Sequence, residues 1–221
     1  MVIQITNWKN TLMSDANFGK SISYSSGWYN SLSDVEVLTR LLYGENTVNV
    51  SDQNAVAWVV INRKSNGSFG GSTYRGVATS SGAFEPITGG SSGTTNARVP
   101  DKSSARWSNA VWNACTLLST SSASDYASLV SKPAGISSQL YFVGLTYFLL
   151  PGNGADTSPA GSGLRYSFNG GSSYVAIKDV VIVFDSTSSL QNPSSIATIT
   201  SNSNLDTNSE RSTHNIFYNL K

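Results

Sequence analysis

The chain has 221 residues, 39% of them hydrophobic and 10% aromatic, enough to fold around one sizeable core or two small ones. Only 12% are charged and the net charge is +1, so the chain lacks the basic field that argues for nucleic-acid binding. One cysteine, Cys115, and one histidine, His214, exclude an internal disulfide and a zinc site built from several Cys or His ligands.

The longest apolar runs, such as 180–184, fall far short of the ~20 residues of a membrane-spanning helix. The N-terminus shows no charged segment followed by a long apolar core, so no signal peptide is expected. A surface drawn from Ser, Thr, Asn and Gly suits neutral polar partners, sugars included.

Residues 1–32 have mixed character, with Val2, Ile3 and Ile5 reading as a short strand and the rest as loop or short helix. A first helix is expected over 34–46. Ser33 and Glu36 have capping-box spacing, and Leu38, Leu41 and Leu42 recur at helical intervals. Glu45 follows Leu41 by four residues and so shares the apolar face. A carboxylate there loses hydration and favours its neutral form, as a general acid working near neutral pH requires. From position alone, a glutamate in a last helical turn is more commonly solvated or paired with a lysine or arginine.

A second helix is expected over 52–64, with Ser51 as N-cap, Gly67 beyond its end and Ala55, Val56, Val59 and Val60 on one face. Residues 65–101, rich in Gly, Ser and Thr, are too long for a simple connector and read as a functional loop region. A third helix, 103–119, carries the stripe Trp107, Ala110, Val111, Ala114, Leu117 and Leu118, with Trp107 and Leu118 expected in the core. Cys115 lies among Val111, Ala114 and Leu118 and reads as a buried, inert thiol.

Beyond 119 the pattern turns to β-branched and aromatic residues, giving strands at 140–143, 174–184 and 213–218. Gly- and Ser-rich turns at 151–163 and 169–173 separate them, and 186–210 reads as loop or a poorly packed arm. Helices first and strands later argue for an α+β fold.

These residues resemble the cell-wall hydrolase family of germination-specific spore-cortex lytic enzymes. The resemblance rests on Arg40, Leu41, Leu42, Tyr43, Gly44 and Glu45, then on Gln53 with its small and branched residues closing in Asn62 and Arg63. It continues through Gly76–Val77, Gly82–Ala83–Phe84, and Trp107 with Ala110 and Ala114, and ends weakly on His214, Phe217 and Tyr218. It covers 34–118 well and 119–212 poorly. A second Gly-Glu carried by many members is missing near Val48 and Asn49.

The resemblance implies an α+β, lysozyme-like helical core with a small antiparallel sheet. Residues 1–32 would then be an N-terminal extension and 33–221 a single catalytic domain. It implies cleavage between N-acetylmuramic acid and N-acetylglucosamine of peptidoglycan, with Glu45 as acid/base. The expected setting is the cell wall, spore cortex or extracellular space, or phage lysis, and the expected state is a monomer without metal or cofactor.

Hydrolysis normally uses a second carboxylate. Asp52, Glu85, Asp101 and Asp156 are the candidates, and Glu85 is the best of them. A lytic transglycosylase manages with one carboxyl, because the muramic C6 hydroxyl attacks C1 and yields a 1,6-anhydro sugar; one buried Glu with sugar-binding aromatics favours that scheme. Substrate contacts are expected from Tyr43, Phe84, Glu85, Tyr141 and Tyr166, with Tyr147 and Phe168 nearby in the strand region, although core packing is the ordinary job of each aromatic. Gln53 and Asn62 either touch sugar, brace Glu45 or cap loop backbone, and Arg63 is expected to anchor a loop or carboxylate. The competing readings are a muramidase using water and a non-catalytic glycan-binding or structural protein.

Overall fold

A computed structural model describes residues 1–45, 48–157 and 163–221. Its contacts divide the chain into two compact units, Met1–Ser131 and Lys132–Lys221. The expected boundary near residue 33 is therefore not where the chain divides. The N-terminal segment belongs to the first unit, because helix α1 (Val2–Ser14) packs on a later helix, α7 (Ala105–Ser119).

The strand expected at residues 2–5 is part of α1. Ile5 is buried and Trp8, Lys9, Leu12 and Met13 are half-buried, a stripe of helical period, while Val2 and Ile3 face solvent. Short apolar runs carry little period of their own, and only the longer stripe decides for helix.

The expected long helices form. Helix α2 (Asp34–Glu45) starts at Ser33, whose hydroxyl accepts from the Glu36 N–H at 3.4 Å. The expected reciprocal half of that capping box is replaced. The Glu36 carboxylate accepts from Arg40 at 2.7 Å and from the Gly19 N–H at 3.1 Å. Arg40, wholly buried, also donates to the carbonyls of Lys20, Ala97 and Arg98. One side chain thus ties the 17–22 segment and the 97–98 backbone to α2.

Helix α3 (Val50–Asn66) is capped by Asn49, not Ser51, with the Asn49 side chain accepting from the N–H groups of Ser51 and Asp52. It ends at Gly67, whose φ of 79° is the left-handed conformation that closes a helix at least cost with glycine. The loop region expected between α3 and α7 holds three short helices, α4 (Tyr74–Thr79), α5 (Glu85–Thr88) and α6 (Thr95–Arg98). All three pack against α2, as do α3 and α7.

The core of this unit is Val37, Leu38, Leu41 and Leu42 of α2, Ala55, Val56, Val59 and Val60 of α3, and Trp107, Ala110, Val111, Ala114 and Leu117 of α7. Trp107 is a core residue, with Tyr43 edge-on at 5.5 Å and Phe18 at 5.8 Å, whereas Leu118 is only half-buried. The Cys115 thiol is buried, and desolvation pushes its pKa up to about 12, so it is inert at neutral pH. Helix α8 (Ala123–Ala127) closes the unit by seating Tyr126 edge-on against Trp58.

The second unit is an antiparallel sheet with short helices. Its strands are β1 (Tyr141–Gly144), β2 (Gly154–Asp156), β3 (Leu164–Tyr166), β4 (Val175–Val183), β5 (Ser189–Gln191) and β6 (Asn215–Leu220). The order is β1-β6-β4-β3-β2, with β5 also paired to β4. Opposite β6, β4 carries one extra residue between Lys178 and Val181, a bulge in which Asp179 takes a φ of 53°.

The poorly packed arm expected at 186–210 is instead built of β5, α10 (Ile196–Thr200), a 3-10 turn (Ser203–Leu205) and α11 (Asn208–Arg211), preceded in the chain by α9 (Leu145–Phe148) after β1. Ile199 and Leu205 are buried with Leu145, Phe148, Ile182 and Ile216 in this unit's own core. The long helices precede the antiparallel sheet, and the α+β class holds.

Candidate active site at the end of the second helix

Glu45 is the last residue of α2 and is half-buried. Desolvation pushes its pKa up to about 8; the charge of Arg63 pulls it down and the charge of Glu85 pushes it up further. At neutral pH the carboxyl is therefore mostly protonated, and a carboxyl that keeps its proton there is what a general acid needs.

Gly44 brings the two carboxyl-bearing segments together. A Cβ on Gly44 would stand 2.5 Å from Cβ of Pro86 and 3.2 Å from Cβ of Ala97, so α5 and α6 approach α2 only because this position has no side chain. Glu85, in the first turn of α5, is exposed, and its side chain lies along Gly89 and Gly93, where a Cβ at Gly93 would collide with its Oε1.

The cation is fixed just as firmly. Arg63, in the last turn of α3, is 6% exposed. It donates to the Ala83 carbonyl at 2.9 Å, with its guanidinium 4.5 Å from the Phe84 ring centre and 5.0 Å from that of Phe69. It anchors the 83–84 loop, as expected for an arginine in that place.

Several residues expected to touch sugar do other work. Tyr43 is buried against Trp107, and its hydroxyl accepts from the Asp101 N–H. Phe84 is 1% exposed beneath Arg63, so it offers no face to a sugar ring. Gln53 is wholly buried: its Nε2 donates to the Leu42 carbonyl at 3.2 Å and its Oε1 accepts from Asn109 at 2.6 Å. It braces the last turn of α2, where helix carbonyls lack partners of their own.

Asn62 is half-buried one residue before Arg63. Tyr141 and Tyr166 lie in the second unit, in an aromatic cluster with Phe148, Phe168 and Tyr218. Tyr141 is half-buried, Tyr166 is buried, and Phe168 and Tyr147 are the exposed aromatics there.

Of the other carboxylates, Asp52 is wholly buried in the first turn of α3. Asp101 accepts from the Ser103 N–H and hydroxyl, and Asp156 accepts from the Ile196 N–H at 2.7 Å, anchoring the start of α10. Glu85 remains the carboxylate beside Glu45. Among the described residues no group of three or more His, Cys, Asp or Glu could hold a metal ion.

A polar ladder that the sequence reading missed backs the site. Asn109 donates to Gln53 and Asn54, Asn113 donates to Asn54, and the Tyr126 hydroxyl donates to Asn113. Its signal was present in Asn109 and Asn113, four apart and interrupting the apolar stripe of α7.

No protein family, curated protein or solved structure matches this chain.

Proposed function

We propose that the protein cleaves peptidoglycan between N-acetylmuramic acid and N-acetylglucosamine, as a lytic transglycosylase with Glu45 as acid and then base. The observation that carries this reading is a glutamate still protonated near neutral pH, held at the end of a braced helix beside a fixed arginine. The lysozyme-like character of the helical unit belongs to the same proposal.

In this scheme Glu45 gives its proton to the leaving oxygen. The muramic C6 hydroxyl attacks C1, and Glu45 takes that hydroxyl's proton, leaving a 1,6-anhydro end. The wall, spore cortex or extracellular space is the corresponding location. Exposed Glu85 favours a second reading, a muramidase in which that carboxylate directs a water or acts as nucleophile.

Mass analysis of digested peptidoglycan tests both. Transglycosylation leaves muramic ends that borohydride does not reduce, whereas hydrolysis leaves reducible ends. Folded Glu45→Gln protein should lose ~10²–10⁴ in rate, the usual share of a general acid–base group. Wild-type turnover in that variant would sink both readings.

A further inference from the structure

Among the described residues only two non-glycine residues have a left-handed backbone, Asp179 with φ 53° and Asn192 with φ 46°. Both line the same cavity of about 480 Å³ in the second unit, within the range of small-ligand sites. Asp and Asn are the non-glycine residues that adopt this conformation most readily, and here, with Asp179 in the β4 bulge, they fix the backbone of the rim.

The cavity's apolar side is Leu164, Ile177, Val180 and Pro193, all buried. Its polar rim is Lys178, Asp179, Asn192, Ser194 and Lys221. Two hydrogen bonds fix the rim: the Asn192 N–H donates to the Val180 carbonyl at 2.7 Å, and the Asn192 Oδ1 accepts from the Val180 N–H at 3.1 Å. Among the described residues no acceptor takes the Asn192 amide donor. The Asp179 Oδ2 accepts from Asn219 at 3.1 Å, and its carbonyl accepts from Gln139 at 2.8 Å. Lys178 and Lys221 are exposed and form no ion pair among the described residues. The rim thus offers two ammonium groups and an amide donor on a built backbone, with one carboxylate held in place as acceptor.

We propose that this cavity binds a small organic carboxylate that carries a neighbouring donor, hydroxyl or ammonium. Lys178 and Lys221 take the carboxylate and Asp179 takes the donor, over a floor closed by the buried side chains of Leu164 and Ile177. The site stands without the proposed catalysis, which guides only the choice of probes.

Calorimetry on the full chain tests it with N-acetylmuramic acid, D-alanyl-D-alanine, N-acetylglucosamine and inorganic phosphate. At least one of the two carboxylates should bind and neutral N-acetylglucosamine should not. The double variant Lys178→Gln/Lys221→Gln should weaken binding by about tenfold or more, as loss of charged hydrogen bonds implies. Asp179→Asn, which tolerates the same backbone, separates the sources: it weakens an ammonium-bearing ligand severalfold and leaves a hydroxyl-bearing one within twofold. Glu45→Gln should bind as wild type, so failure of the catalytic reading would leave this result standing. Absence of binding by both carboxylates, phosphate binding as tightly as they do, or unchanged affinity in the lysine variant would overturn the proposal.

Discussion

At the residue scale, Glu45 sets both a reaction profile and a stability profile. In the proposed mechanism the acid form is the active one, so cleavage should fall on the alkaline side with a midpoint near 8. Folded-state protonation outlasts that of the unfolded chain, whose carboxyl titrates near 4.5. Stability from this group is therefore whole below about 4.5, declines as pH rises toward about 8, and is flat beyond. Glu45→Gln should abolish that decline, and denaturant melts of both proteins between pH 4 and 9 measure it. Parallel pH dependence in the two would mean that Glu45 is solvated like any surface glutamate. Glu45 was legible in the sequence because its distance from Leu38 and Leu41 fixed its face. Its partners were not fully legible, because Arg63 lies on another helix and Glu85 comes near through the close approach of Pro86 to Gly44. Tyr43 and Phe84, expected to touch sugar, are buried for a related reason, whereas Gln53 takes the bracing role that was one of its expected alternatives. Sequence places a residue beside a site but not on its wet or dry side.

At the element scale, the long helices were readable because four turns of one-sided hydrophobicity leave little choice of period. The four- and six-residue helices α4, α5 and α6 were not. Helices that short have no stability of their own and exist through tertiary packing, here against α2. The end of α2 is the element on which the site depends, and Gly44→Ala tests it. Alanine favours an α-helix over glycine by ~1 kcal/mol, yet its methyl would meet Pro86 at 2.5 Å, and overpacking of that kind costs ~1–3 kcal/mol. Prolyl and alanyl carbons give little, so the clash should win. The variant should melt lower, and cleavage should fall as well, because the end of α2 that carries Glu45 is displaced and the charge of Glu85 that helps keep Glu45 protonated moves away. A Gly44→Ala protein that is as stable and as active as wild type would show that the close approach does not set the site.

At the scale of the whole molecule, each unit has its own apolar core. All five tryptophans lie in Met1–Ser131, whereas the sheet unit is filled by aliphatic residues, phenylalanine and tyrosine. Trp107 sits in the first core, wholly buried, and packs so closely that a Cβ at Gly19 would stand only 2.5 Å from its ring. Trp107→Ala should therefore cost ~3–5 kcal/mol. Trp107→Phe should cost less, since the indole N–H has no hydrogen-bond partner among the described residues. Units with separate cores open separately. Hydrogen exchange on Trp107→Ala should accordingly rise across α2, α3 and α7, while the amides that pair β4 with β6 keep wild-type protection. Loss of protection in β4 and β6 to the same degree would make the chain one cooperative unit, and the sheet would then share the fate of the helical core.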